Sequence, residues 1–425
     1  MLIEFSVANL FSFKDRATFS MAASKDDALQ ESNVFEVGKH RLVKSAVIYG
    51  ANASGKSNLL TAMGFMRHMV LTSSKDTQAD EEIDVNPYRL STECDGKPSL
   101  VEIVFVRGDT TYRYGFEADR KRIHSEWLFT VPSIREAELF TREGQHIRVN
   151  ASRFKEGKGL EDKTRENALF LSVCAQFNGE LSKSLLLWFR EFKFVSGLSD
   201  FDYLTVTVDK LGASEHKNRI LELTKVADLS ITDLEGRKEK WTMESLPRDM
   251  PEELKREIIK QEGMLIELKT LHRKFGKNNK EIGKVAFDLE EDESGGTQKL
   301  LALAGPMLDT LETGKVLIVD ELDARLHPLL TRAIVSMFNS SANWKNAQLV
   351  FASHDTTLLD GKYFRRDQVW FTEKNQCGAT SLYSLIELRG VRKEASFGKD
   401  YILGKYGAIP FVGDANWLLC EANGR

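Results

Sequence analysis

Ser45-Ala46-Val47-Ile48-Tyr49-Gly50-Ala51-Asn52-Ala53-Ser54-Gly55-Lys56-Ser57 is the stretch on which the fold turns. A short apolar strand ends at Gly50, and the residues from Gly50 to Ser57 fit G-x-x-x-x-G-K-[ST] at every fixed position. Leu59, Leu60, Met63, Met66 and Val70 then recur at helical spacing. Strand, glycine-bounded loop and helix, in that order, make a phosphate cradle. Gly50 and Gly55 let the backbone curl so that successive N–H groups, through Asn52 and Ser54, face one anion, and the helix adds its positive end. Lys56 is placed to reach the β- and γ-phosphates as a point charge, and Ser57 to offer its hydroxyl to Mg²⁺.

Val316-Leu317-Ile318-Val319-Asp320-Glu321 is an apolar run closed by two acids. Such a run reads as a strand buried on both faces of a parallel sheet. Ligands bind at the carboxyl ends of these strands. Asp320 is therefore expected to hold Mg²⁺ through water. Glu321, one residue on, is expected to orient or deprotonate an attacking water. Gln348 to Ala352 repeats the strand pattern and runs on into Ser353-His354-Asp355; Val369-Trp370-Phe371 reads as a further strand.

Between the loop and the acids lies Glu293-Ser294-Gly295-Gly296-Thr297-Gln298, followed by the helical run Lys299 to Ala304. Ser-Gly-Gly at a helix start is a second anion site. Two phosphate sites in one chain resemble the arrangement of ABC-type ATPases. That resemblance implies that Ser294, Gly295 and Gly296 contact the γ-phosphate of ATP held by an opposite subunit. It makes His354 the switch histidine and places Leu322 to Pro328 along a dimer seam, with Asp323 as its contact residue. It also implies a glutamine bridging Mg²⁺ and the lobes, assigned to Gln176 within Val173-Cys174-Ala175-Gln176-Phe177-Asn178.

Within that class the chain resembles bacterial ATPases of the RloA/AbiL kind, relatives of the OLD-family and SMC ATPases. The supporting stretches are Asn9 to Lys14, Tyr112 to Glu117, Ser294 to Thr297, Asp320 to Asp323 with His327-Pro328, and Tyr401 to Pro410. The implied fold is α/β: an ABC-type P-loop NTPase with a mixed sheet, an antiparallel β subdomain and an inserted helical arm. The implied cofactors are ATP and Mg²⁺, and the implied assembly is a homodimer or higher homo-oligomer. Such proteins are commonly encoded beside a nuclease-like effector in phage defence.

The rest of the chain sets the organisation. Residues 1–212 read as an N-terminal ATPase half carrying the phosphate loop and, over 100–130, antiparallel strands broken by Gly108-Asp109. Residues 71–97 read as a polar surface loop and 165–195 as mostly helix. Residues 213–284 read as a charged helical insertion. From Pro247 to Lys284 there are ten Lys or Arg against seven Asp or Glu, with Leu254, Ile258, Leu265, Leu268 and Phe275 near a heptad seam that Gln261 and His272 interrupt. Residues 285–425 read as the C-terminal ATPase half.

Composition narrows the partners. The 425 residues are 42% hydrophobic and 29% charged, enough apolar material for a real core. A net charge of −4 provides no global field for nucleic acid, which leaves only a local basic patch to make such a contact. Cys94, Cys174, Cys377 and Cys420 form no CxxC pair and read as reduced thiols of a cytoplasmic protein. No signal-peptide pattern and no run of about 18 apolar residues is evident, so no membrane partner is expected. Three functions compete: an ATP-gated sensor or scaffold in phage defence with a separate effector, an SMC-like DNA-maintenance or repair ATPase touching DNA through the arm, and a self-contained nuclease. The last has only 71 residues after His354 and no clear acidic metal cluster there.

Overall fold

The computed structural model describes residues 1–410 apart from 132–134, 197–200, 244, 247–249, 261–263 and 394. Cys420, and Arg248, Asp249, Gln261 and Glu262 of the insertion, lie outside the described residues.

A six-stranded sheet organises the molecule. Its order is Phe192–Ser196, Val316–Asp320, Gln348–Ala352, Ser45–Tyr49, Val369–Lys374, Thr380–Ser384, parallel throughout except for the last strand. The strands come from both ends of the chain, so neither end could build the sheet alone. The strand pleat sends successive residues to opposite faces. Ala46, Ile48, Ile318, Val350 and Ala352 enter one core. Val47, Tyr49, Leu317, Val319, Leu349 and Phe351 enter the other. This double burial is why the three central strands read as unbroken apolar runs.

The first core lies under the helix Lys56–Thr72 and a seven-stranded antiparallel sheet. That sheet runs in the order 146–149, 137–143, 123–131, 110–118, 99–107, 2–8, 17–20. Phe105, Tyr114, Trp188 and Phe189 supply its aromatic cluster, with Phe105 and Trp188 stacked at 4.1 Å. The second core is covered by the helices Gly295–Thr313 and Pro328–Phe338.

The structure refines two sequence readings. Residues 165–195 hold the helices Phe170–Gln176 and Glu180–Glu191, but the chain then turns into the sheet strand Phe192–Ser196. The insertion is part helix and part sheet. It carries the helices Ser214–Ala227 and Glu252–Lys260 beside a three-stranded antiparallel sheet, Ile231–Lys240, Met264–Phe275 and Glu281–Asp288. The supposed seam fails because Leu254 and Phe275 are half exposed, whereas Leu268, Thr270 and His272 are buried at every second position. A period of two is a strand, and polar Thr and His in the buried register concealed it.

The helix Gly295–Thr313 is locked to the insertion's side of the molecule through an unusual break. Pro306 has no N–H to give the carbonyl four residues earlier, that of Ala302. One residue earlier Thr207 inserts itself: its hydroxyl donates to Leu301 O at 2.8 Å and accepts from Gly305 N at 2.9 Å. A Cβ on Gly305 would meet the Thr207 Cα at 2.5 Å and its Oγ1 at 2.6 Å. Among the described residues, no helix is long and apolar enough to cross a membrane.

Gly305→Ala should therefore force the helix Phe201–Leu211 off this contact and cost about 1–3 kcal/mol. The check is a urea titration, in which the midpoint should fall with little change of slope. An unmoved midpoint would show that the two helices are not held this closely.

Candidate nucleotide site

The carboxyl edge of the six-stranded sheet gathers the candidate residues. The strands ending at Tyr49, Asp320 and Ala352 are in register with one another: Ile318 lies opposite Val350, and Val350 opposite Ala46. Each then releases its chain into a loop at the same edge. The first loop is Gly50 to Gly55, the second Glu321 to His327, the third Ser353 to Asp355.

The phosphate loop is held from outside. The Ser54 hydroxyl pairs with Thr372 Oγ1 at 2.7 Å, and Thr380 Oγ1 donates to Ser54 O at 2.8 Å. Ser12 joins the same lattice, its hydroxyl pairing with Thr380 Oγ1 and accepting from Asn58 Nδ2, at 2.7 Å each. Gly50 has no room for a side chain, since a Cβ there would meet Thr372 O at 2.5 Å. Gly55 takes φ +113, a left-handed value that favours glycine, and a Cβ would strike Thr380. Asn52 and Ala53 form the exposed crest, and Ser57 is exposed at the start of the helix.

Lys56 is only 6% exposed, and its ammonium donates to Gly50 O at 2.9 Å and Ala51 O at 3.1 Å. Burial lowers its pKa, and the charges of Asp320, Glu321 and Asp323 oppose that shift. His354 shows the mirror image. Burial and then the Lys56 charge lower its pKa, against Asp323, Glu321 and Asp320. These mutual fields mean that the cation, the three carboxylates and the imidazole occupy one electrostatic neighbourhood. The downward shift favours the neutral imidazole of His354, which donates from one ring nitrogen. Its backbone N–H donates to Asp323 Oδ2 at 3.1 Å, which ties the histidine loop to the carboxylate loop.

The residues fit Mg²⁺. Asp320 Oδ1 is buried and has no hydrogen-bond partner among the described residues. A buried carboxylate oxygen left this way is costly unless a cation or its water shell meets it. Glu321 is in a left-handed conformation, φ +52, and its carbonyl accepts from the buried Lys299 ammonium at 2.6 Å. That bond holds the backbone beyond the strand while leaving the Glu321 carboxylate uncommitted to it.

Ser294 caps its own helix: its oxygen accepts from Thr297 N at 3.2 Å. Gly296 leaves no room for a Cβ beside Arg325 O, 2.9 Å away, so the helix start lies against the loop that follows Glu321. Just before it, Glu293 is claimed by the insertion. Its carboxylate pairs with His272 Nε2 at 2.7 Å and takes the Thr270 hydroxyl, and His272 Nδ1 continues to Ser230 at 2.8 Å.

Gln176 is not brought to this site. It is exposed and shares a groove with Leu71, Ser74 and Lys75, at the far end of the helix that begins with Lys56. At 1.5 Å per residue, Lys56 and Leu71 are about 22 Å apart along that helix. The strand that does end beside Asp320 is Phe192–Ser196, with Ser196 its register partner. Sequence reading missed Ser196, Lys299, Thr372 and Thr380. All four act through contacts with residues far away in the chain, and only the polar His272 inside a supposed apolar seam hinted at the Glu293 link.

No curated protein matches the chain. Among solved structures it is similar to the SMC head domain from Thermotoga maritima, at 14% identity over 90% of this chain and 98% of that one, with a TM-score of 0.40. An SmcHead bound to the C-winged helix domain of ScpA gives 15%, 90% and 97%, with a TM-score of 0.41. An Smc head domain with an extended coiled coil bound to the C-terminal domain of ScpA derived from Pyrococcus furiosus gives 12%, 90% and 96%, with a TM-score of 0.38. Residues 45–360 match the family model described as "AAA domain, putative AbiEii toxin, Type IV TA system". That span runs from the phosphate-loop strand past His354, and the chain belongs to this family of AAA-domain P-loop ATPases.

Proposed function

We propose that the chain binds and hydrolyses ATP as an ABC-type dimer, and that the dimer acts as a nucleotide-gated sensor or scaffold controlling a separate effector in phage defence. The observation that carries the first part is the convergence of Lys56, Asp320, Glu321 and His354 on one sheet edge, within each other's fields. Lys56 and the loop amides bind the phosphates. Ser57 and Asp320 would hold Mg²⁺, which would neutralise charge on the phosphate oxygens. Glu321 orients a water and takes its proton as the oxygen attacks the γ-phosphorus. The bond to the β-phosphate oxygen breaks and ADP departs. His354, neutral, donates toward the γ-phosphate.

The second part rests on the resemblance to phage-defence ATPases; the family description itself names a putative AbiEii toxin of a type IV toxin–antitoxin system. A nuclease-like effector remains the best match to the phage-defence resemblance. The composite site follows from Ser294, Gly295 and Gly296. They form a helix start that lies beside Arg325 in the loop following Glu321. A helix start favours an anion, and a second copy would bring one.

Glu321→Gln keeps the shape and removes the base. Turnover should fall by roughly 10²–10⁴ while ATP still binds in a direct titration. Hydrolysis at the normal rate would remove Glu321 from the role. Gln176→Ala, remote from the site, should change turnover by less than about twofold.

The shared site is tested by mixing two dead chains, Ser294→Arg and Lys56→Ala. If the signature serves the opposite subunit, the heterodimer has one site with both lesions and one with neither, and ATP hydrolysis returns. If each site is built within one chain, both are broken in the heterodimer and the mixture stays silent. Heterodimer formation is verified separately by differential tagging.

A further inference from the structure

The inserted sheet ends in a feature that nucleotide chemistry does not use. Its outer strand starts at Ile231, opposite His272. Beyond that point, Arg273 to Phe275 pair only with Glu281 to Lys284 among the described residues, joined by the turn 276–280. A two-stranded ribbon therefore projects past the sheet. Its twelve residues, Arg273 to Lys284, carry five Lys or Arg and one acid, in a chain whose net charge is −4. Every one except Gly276 is exposed.

The charges are left open. Lys274, Lys277 and Lys280 make no ion pair among the described residues, and Arg273 approaches Glu281 only at 4.0 Å. They also surround the ribbon. Arg273 lies opposite Lys284, so both stand on one face. Lys274, paired with Gly283, stands on the other, and Lys277 and Lys280 occupy the turn. Two large apolar side chains are exposed among them, Phe275 at 55% and Ile282 at 62%.

Lysines on an open strand edge can serve only to prevent pairing with another copy. That role explains the charge, but it gives no reason to leave Phe275 and Ile282 in water at the same tip. An acidic protein surface would meet one face of the ribbon and leave the basic residues of the other unanswered. The major groove of B-DNA is about 12 Å wide, admits a two-stranded ribbon, and has a phosphate backbone on either side. Its floor offers thymine methyl groups to apolar side chains. The narrow major groove of duplex RNA does not admit such an element.

We propose that the ribbon 273–284 docks in the major groove of duplex DNA, with its basic residues on the two flanking backbones and Phe275 and Ile282 toward the base edges. The contact stands apart from ATP binding, so it is measured without nucleotide. Full-length protein is titrated onto a fluorescent DNA duplex of about 30 base pairs, at salt concentrations from about 50 to 200 mM. Each lysine–phosphate contact contributes about 0.9 to the slope of log affinity against log salt. The triple variant Lys274→Glu, Lys277→Glu, Lys280→Glu should bind at least about tenfold more weakly at the low-salt end and flatten the slope by about 2–3. These residues are exposed, and an unchanged urea midpoint confirms that the variant is folded. The control triple Lys155→Glu, Lys158→Glu, Lys163→Glu removes the same charge elsewhere and should keep more of the affinity. Three outcomes each overturn the proposal: no DNA binding by the unaltered chain, equal loss in both triples, or equal affinity for an RNA duplex of the same sequence.

Discussion

All parallel strands of a sheet finish at the same edge, and everything distinctive about this molecule follows from that geometric fact. The strand Gln348–Ala352 lies between the phosphate-loop strand and the acidic strand. It sets the spacing between Lys56 and the carboxylates and delivers His354 into the gap. The double burial of the sheet then gives these ends a rigid base, since each strand packs against two cores at once. Burial at this edge depresses both the Lys56 and the His354 pKa, against the opposing fields of Asp320, Glu321 and Asp323.

How much of this could be read beforehand depended on the range of the interactions involved. The strands at 45–49, 316–320 and 348–352 were legible because burial on both faces leaves only apolar residues, with the polar functional groups massed just after them. The helix after Gly55 was legible from its spacing. The insertion was not. Leu265 and Leu268 sit three apart, a spacing that suits a helix, whereas the alternation that defines the strand is carried partly by Thr270 and His272. Their burial makes sense only once Glu293 is beside them. The metal-side glutamine failed for a related reason. Gln176 lies on a short helix whose position is set by Glu126, a fully buried carboxylate that accepts from Phe170 N and Leu171 N from another sheet altogether. No local pattern in the chain announces such a partner.

The Glu293 link also gives the insertion a place in the architecture. Residues Thr270 and His272 belong to the strand that continues into the exposed ribbon, and they hold the side chain immediately before Ser294. Leu301 and Ala304 of the following helix share a core with Leu234 and Leu268 of the inserted sheet. On its other side, Leu300, Leu303 and Met307 face the main sheet. The helix Gly295–Thr313 is thus wedged between two cores, and a displacement of the insertion cannot leave it untouched.

The lattice behind the phosphate loop bears on how the protein comes into being on the ribosome. Ser54 and Thr380, bonded through the Ser54 carbonyl, are 326 residues apart. At about 5–20 residues per second, roughly 15–65 s separate the emergence of the loop from that of its outer support. For most of this interval the strand Ser45–Tyr49 also lacks both of its neighbours, Gln348–Ala352 and Val369–Lys374. The nascent loop therefore carries its sequence signature long before it has a shape. A chain cut short before Gln348 would display an apolar strand in search of both partners, which is what molecular chaperones recognise.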